Sequence, residues 1–518
     1  MSFKLLKSTL IISVMTTISR IFGLIRDIVI GALFGPGLGI DVFIVSFRIP
    51  NFLRRLFAEG GFSQAFVPIL SEYKEKRKDE DVQKLINQTS ATLGIILFII
   101  SLIGVLISPI LIMIFAPGFL NDANKANLAS NLLKITFPYI FFISLTAFAG
   151  SILNTYKNFA IPAFTPVLLN LSLIICAIWL APLLDTPIKA LAWAVLIAGF
   201  VQLFFQAPFL LKIKKFPKPS LHSDKDGVRR IIKLMIPILF AVSIVQINLL
   251  VDTLIASFLT TGSISWLYFS DRLVEFPLGV FGIALATAIL PNLSEKHTQG
   301  SSERFSDTLD WSLRWVCIIA LPAALGLAML ASPLLITLFQ YKEFSQYDVF
   351  MTSYSLIAYA VGLPAFIFIK VLSAGFFSRQ DTKTPVKIGV IAVIVNFLLN
   401  ILLVLFFNRF NLGHVGLALA TSFSAYLQAF LLFWKLKKIQ VYQSRKKWLV
   451  FILKIVSAMI FMAVIIIYGV SDISIWFDWS ILARVFNLIL WISVSVLGYF
   501  IFLWFTGLSL RNIASQKY

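Results

Sequence analysis

Apolar residues run along the chain in blocks of about twenty or more, separated by short polar, glycine- or proline-bearing stretches. Blocks of that length cross the roughly 30 Å hydrocarbon core of a bilayer as α-helices. Read this way, the sequence predicts fourteen membrane-spanning helices, with cores near 9–34, 40–70, 88–115, 130–155, 160–183, 187–212, 230–259, 263–292, 311–339, 350–377, 384–407, 413–435, 447–470 and 482–507. The second is the least apolar, because it contains "FRIPNFLRRLFAEGGFSQ". The first follows a short basic stretch, as a signal peptide would. No small-residue cleavage pattern follows, and the apolar pattern continues through Ile30, so it reads as a retained span.

Polar loops set the orientation. With both termini in the cytoplasm, the inside loops include "YKEKRKDEDVQK", "KIKKFPKPSLHSDKDGVRR" and "KLKKIQVYQSRKKW". Only six of the 44 basic residues then lie outside: Lys125, Lys134, Lys189, Lys342, Arg409 and Arg484. Such asymmetry is the positive-inside pattern.

The blocks also repeat. "LIRDIVIGALFGPG" (24–37) matches "LLVDTLIASFLTTG" (249–262), with Asp27 on Asp252. "FVPILSE" (66–72) matches "ILPNLSE" (289–295), and Gly150 before "SILNTYKNFAIP" falls on Gly375 before "FFSRQDTKTP". The nearly constant offset holds six spans, an even number, so the halves are parallel repeats, an architecture of secondary transporters. The expected organisation is an all-α polytopic membrane protein: helices 1–6 in residues 1–220, helices 7–12 in 221–440, and helices 13–14 in 441–518. The last two either serve as scaffold or offer a lateral surface to a lipid chain.

Composition agrees with the class. Hydrophobic residues make up 59% of the 518, and charged residues only 13%, against about 45–50% and about 25% in soluble domains. The formal charge of +20 reads as a basic inner face against anionic lipid rather than as a nucleic-acid surface. Cys176 and Cys317 lie in apolar runs and suggest neither a disulfide framework nor a metal site. His222, His297 and His414 are scattered. There is no Walker A motif, so ATP hydrolysis by this chain is not expected.

Charges inside the spans carry the candidate chemistry. The bases are Arg20, Arg26, Arg48, Arg54, Arg55, Arg272 and Lys370; the acids are Asp27, Asp41, Glu59, Asp252, Asp271 and Glu275. Arg20, Gly23 and Asp27 share a helical face, with Arg26 beside it; Arg48, Asn51, Arg55 and Glu59 form a second stripe. Asp271 and Glu275 are one turn apart, and Arg272 reaches Glu275. Facing lipid would cost each charge several kcal/mol, roughly 3 or more. They therefore either pair to lock helices or face a wet cavity. A surplus of arginine over acid in the first two spans favours an anionic ligand, and guanidinium forks suit phosphate oxygens. Gly23, Pro50, Gly60–Gly61 and Pro277 are candidate hinges for alternating access, or sites of close helix packing.

Asp252 has no basic neighbour in sequence. It should be protonated or hold a monovalent cation such as sodium. Asn396 and Asn400, one turn apart, could present both amide oxygens to one point, and Thr421 could add a third.

The segments "SRIFGLIRD", "FGPGLGIDVFIVSFRIPNFLRRLFAEGGFSQAFVPILSEYK", "SWLYFSDRLVEFPLGVFGIALATAILP" and "FFSRQDTKTPVKI" resemble the MurJ/MviN family, the lipid II flippases of bacterial peptidoglycan synthesis and members of the MOP exporter superfamily. The resemblance runs over the whole chain. It implies fourteen helices, two six-helix lobes and alternating access around a cationic cavity in the bacterial cytoplasmic membrane. The family's cavity arginines carry over to Arg20, Arg26, Arg54 and Arg272, and its acidic positions to Asp41 and Glu59. Many relatives have Lys where this chain has Arg48. The resemblance assigns helices 13–14 to a groove for the lipid tail. The implied substrate is an undecaprenyl chain bearing a pyrophosphate and a sugar-peptide head group. No bond is broken, so no enzyme activity or cofactor is implied beyond a coupling sodium ion or proton. Membrane lipids and cell-wall synthesis proteins are the further partners it suggests.

Three rivals remain open from the residues. A lipid-linked glycosyltransferase would need a large outside loop bearing an acid or His base, and the longest here are about a dozen residues. A drug or ion exporter of the same superfamily would favour acids over surplus arginine. A flippase for another polyprenyl-linked sugar is separated only by the motifs.

Overall fold

The structure, a computed structural model, describes residues 3–55, 62–221, 226–444 and 447–508, and the side chains of all of these except 3–12, 237 and 240–247. Among the described residues there are helices and turns and no strand. Each predicted span falls on one helix or a consecutive pair, and eleven of the described helical segments are long and apolar enough to cross a membrane. By internal contacts the chain divides into two compact units, Met1–Gly262 and Ser263–Tyr518.

The first unit contains α1 (Phe3–Phe34), α2 (Leu38–Arg54), α3 (Ser63–Lys76), α4 (Asp79–Leu106), α5 (Ser108–Phe115), α6 (Ala123–Thr136), α7 (Tyr139–Thr155), α8 (Ala160–Ile175), α9 (Lys189–Lys212) and α10 (Asp226–Ala256). The centre of its packing is α9, against which α7 and α8 lie, with α1 on α8. The buried face of α9 is built from Ala190, Ala192, Ala194, Val195 and Ala198. Small side chains let helix backbones approach where lipid supplies no hydrophobic drive for association. α10 stays with this unit: Arg230 pairs with Glu72 of α3 at 2.8 Å, and Gly227 abuts Tyr73 and Leu85 with no room for a Cβ. The repeat places α10 at the head of the second lobe; compactness and internal repetition are different criteria, and this helix answers to both.

The second unit contains α11 (Ser263–Pro277), α12 (Ile283–Thr298), α13 (Ser302–Met329), α14 (Ala331–Phe339), α15 (Gln346–Phe377), α16 (Lys383–Asn408), α17 (Gly413–Lys438), α18 (Trp448–Gly469), α19 (Ile473–Asp478) and α20 (Ile481–Phe505). α15, α16 and α17 pack together. Gly362 makes the α15–α17 crossing possible, since a Cβ there would lie 2.5 Å from Ser422 Oγ and 2.9 Å from Ser422 Cα; the Ser422 hydroxyl donates to Ala358 O at 2.7 Å. α18 and α20 are fixed to α13 by a core of Cys317, Ile318, Ile455, Met462, Tyr499 and Leu503. Buried Arg484 of α20 donates to the carbonyls of Trp476, Phe477, Ile336 and Gln340.

Two predicted spans are interrupted. The 88–115 block breaks at Ile107 and the 311–339 block at Leu330, each followed by a short second helix with proline near its start, "SPILIMIF" and "ASPLLITLF". Proline brings no backbone donor and fits a helix's first turn, so it restarts a helix rather than continuing one. The same break in both units is the repeat expressed in structure. A second shared feature is the turn after α7 and after α15. Lys157 (φ 65) and Gln380 (φ 62) both take the left-handed conformation. Asn158 N–H donates to Leu153 O and Asp381 N–H to Phe376 O, in the same closure. Pro162 and Pro385 follow at matching positions. This registers Lys157 on Gln380, the offset that relates Pro68 to Pro291 and two residues off the Gly150–Gly375 match.

Candidate functional site

The arginines of α1 have opposite surroundings. Arg20 is exposed and makes no side-chain hydrogen bond or ion pair among the described residues. Arg26 is buried: its Nη2 lies 2.6 Å from Asp27 Oδ1, its Nε donates to the same oxygen at 2.9 Å, and its Nη1 donates to Asn170 Oδ1 of α8 at 2.9 Å. Asn170 in turn donates to Ser19 O at 3.1 Å. A buried ion pair is retained when further hydrogen bonds satisfy the remaining donors and acceptors, and the Asn170 amide supplies one here. α1 is thereby locked to α8, and Gly23 faces Asn170 across the same joint.

On α2, half-buried Arg48 donates to Thr253 Oγ1 of α10. Arg54 Nε donates to Asn51 Oδ1 at 2.8 Å, and Arg55 follows as the helix ends. Arg48 thus meets a neutral hydroxyl, and Asn51 orients the Arg54 guanidinium. Pro50 is buried within α2, whose helix continues through it to Arg54. Glu59 and Gly60–Gly61 lie outside the described residues.

Asp41 is placed differently from the arginines. It is 1% exposed and accepts from Gly262 N–H at 2.7 Å, with Lys125 Nζ at 4.0 Å. Lys125 also reaches Thr261 Oγ1 at 3.4 Å and sits over the Phe119 ring. Beside them Gly118 N–H donates to Ser257 Oγ at 3.0 Å, and a Cβ on Gly118 would lie 2.3 Å from Ser257 O. Asp41 thus belongs to a closed joint between α2, the start of α6 and the end of α10. Asp252, also on α10, is half-buried.

In the second unit, Arg272 pairs with Glu275 at 2.8 Å and lies over the Tyr268 ring, both members of the pair being partly exposed. Asp271 is exposed. Pro277 ends α11 and is followed by a π-helical turn, Leu278–Gly282; such widened turns mark places where a helix bends. Asn396 and Asn400 are buried, but Asn400 Nδ2 donates to Asn396 Oδ1 at 3.0 Å. One of the two amide oxygens is therefore engaged within the pair. Asn396 Nδ2 contacts Ser424 Oγ at 3.4 Å, and the Thr421 hydroxyl donates to Leu417 O in its own helix.

The residues that sequence reasoning passed over are partners: Asn170, Thr253 and Lys125. Asn170 could have been found as a lone amide within the apolar run "PVLLNLSLII", since a polar side chain inside a span needs a partner. Lys125 reads from the sequence as an outside loop charge.

A family model described as "Lipid II flippase MurJ" matches residues 30–487. The chain belongs to the MurJ family. A relative from Vibrio cholerae serotype O1, named "Probable lipid II flippase MurJ", is 47% identical over 99% of this chain and 98% of its own. "Lipid II flippase MurJ" of Burkholderia cenocepacia is 41% identical over 92% and 91%. Among solved structures, "Lipid II flippase MurJ, inward closed conformation" matches at TM-score 0.80 and 28% identity, covering 95% of this chain and 98% of that one. An inward-facing multidrug resistance MATE family transporter of the MOP superfamily matches at TM-score 0.65 and 16% identity over 82% and 94%, a likeness of fold. As a MurJ family member the chain is a multi-pass membrane transporter rather than an enzyme.

Proposed function

We propose that this protein moves lipid II from the inner to the outer leaflet of the bacterial cytoplasmic membrane by alternating access. The observation that carries this reading is the arginine-rich pair α1–α2 in a chain of the MurJ family, with Arg20 exposed, Arg48 bonded to the Thr253 hydroxyl and Arg54 oriented by Asn51. A pyrophosphate carries negative charge on oxygens that match guanidinium geometry. Its sugar-peptide head must be kept out of hydrocarbon, where unpaired polar groups cost several kcal/mol each, about 2–7. A wet, basic passage lets the head cross while the prenyl tail stays in lipid. Arg20 and Arg54 take the phosphates directly; Arg26, paired to Asp27, holds α1 in register for them. The excess of lysine and arginine in the inside loops supports an orientation with both termini in the cytoplasm. Asp252 is the acid proposed to bind sodium or a proton, so Asp252→Ala should abolish any sodium effect on transport.

Depletion of the protein, followed by probing which leaflet holds the lipid-linked precursor, tests the reading. The precursor should accumulate in the inner leaflet. An unchanged distribution would point to a drug or ion exporter and overturn it.

A further inference from the structure

Where α7 turns into α8 and α9 ends, the first unit holds a cleft of about 530 Å³. Lys157, Asn158, Phe159, Phe209 and Lys212 line it. The loop charges assign this end of the helices to the cytoplasmic side. We propose that the cleft binds an anionic phospholipid of the inner leaflet, with its phosphate between Lys157 and Lys212 and an acyl chain along α8 and α9.

Charge is the first ground. Lys157 and Lys212 are exposed, and neither makes a side-chain hydrogen bond or ion pair among the described residues. The neighbouring charges are already engaged. Lys74 donates to Thr155 O at 3.1 Å and sits over the Tyr156 ring. Asp79, the nearby acid, is bound to Lys215. Lys214, just past α9, adds a third cation of the same kind. The cleft thus presents uncompensated positive charge at the depth where anionic head groups lie.

The backbone is the second ground. Lys157 occupies a left-handed position that favours glycine. The turn does not require lysine there, because the matching turn of the second unit closes in the same way with neutral Gln380. That second turn follows its left-handed residue with an acid, Asp381, where the first has Asn158. The two copies share geometry and differ in charge, and the basic one borders the cleft.

An apolar lane is the third. Phe209, on the cleft wall, meets Phe205 at 5.7 Å between ring centroids, and Phe205 meets Phe164 at 5.6 Å. All three rings are partly exposed, and Phe204 beside them is 67% exposed. The lane leads from the lysines into the hydrocarbon region. A free phosphate would use the lysines and leave the lane idle; a phospholipid uses both.

Full-length protein in detergent, titrated with dioleoylphosphatidylglycerol or dioleoylphosphatidylcholine and followed by native mass spectrometry, tests this. The parent should retain one phosphatidylglycerol more tightly than phosphatidylcholine. Lys157→Gln with Lys212→Gln should weaken that retention by roughly tenfold and leave phosphatidylcholine unchanged, while Arg at both positions preserves it. Phe209→Ala should weaken it too. Equal retention by the parent and the Gln variant would overturn the proposal. Displacement of the lipid by millimolar inorganic phosphate would overturn the lipid as occupant and leave a soluble phosphate ester in its place. The Gln variant should still move the lipid-linked precursor, so this test and that of the transport reading fail separately.

Discussion

Arg20 and Arg26 lie on the same helix, yet one is exposed and the other is sealed against Asp27 and Asn170. Alanine at the two positions should therefore act differently. Arg20→Ala should abolish complementation of a depleted strain while leaving the melting temperature of the purified protein near that of the parent. Arg26→Ala removes the cation paired with buried Asp27, a change that costs about 3–5 kcal/mol, so it should lower the melting temperature as well. A stable Arg26→Ala variant would show that Asp27 does not depend on its neighbour. Lys125 makes a third case. Lys125→Met removes the cation beside Asp41 and should loosen the joint by about 1–3 kcal/mol, seen as faster amide exchange at Gly262. The sequence revealed which residue types stood inside the spans, because a charge in an apolar run is conspicuous. It did not reveal their partners. Asn170 is 144 residues from Arg26, and Lys125 lies in the polar stretch "LNDANKAN" that reads as a loop; only folding brings either to its partner.

Helices were legible because an apolar run of about twenty residues has few other uses. Their interruptions were not, because Ile107 and Leu330 are as apolar as their surroundings and the break depends on local backbone geometry. Turn chemistry was partly visible: "RQDTKTP" contains Asp381, which lies just before α16 and accepts from Thr384 N–H at 3.0 Å and its hydroxyl at 2.6 Å. Burial pushes the Asp381 carboxyl up, but the bonds from Thr384, the Lys383 backbone and the charge of Arg379 outweigh it and hold the group below its ordinary value. A depressed carboxyl stabilises the fold above the unfolded value, near pH 4, and loses that contribution as pH falls through the lowered one. Acid melting of the parent should therefore include a component that is missing in Asp381→Asn. At the α15–α17 crossing, Gly362→Leu has nowhere to place its side chain against Ser422. It should destabilise by about 1–3 kcal/mol or more, whereas Gly389→Ala, whose nearest neighbour is a side-chain amide at 3.7 Å, should be nearly neutral.

The two compact units reproduce the internal repeat in their breaks and turns and differ in what those features carry. The C-terminal pair α18–α20 is fixed by its apolar core to α13 and turns Leu449, Tyr468, Leu482 and Phe505 outward, as a face against lipid requires. The joint at Asp41 bears on the molecule as a whole. Parting it strips Gly262 N–H, Gly118 N–H and the Lys125 ammonium of their partners at once, and the only groups that can replace them are water molecules. Opening there is a hydration reaction: water enters as a stoichiometric participant, and its chemical activity enters the equilibrium. Solutes excluded from protein surfaces, such as sucrose, favour burial. They should therefore slow transport in proportion to osmotic pressure, and Lys125→Met, with one fewer group to hydrate, should slow less.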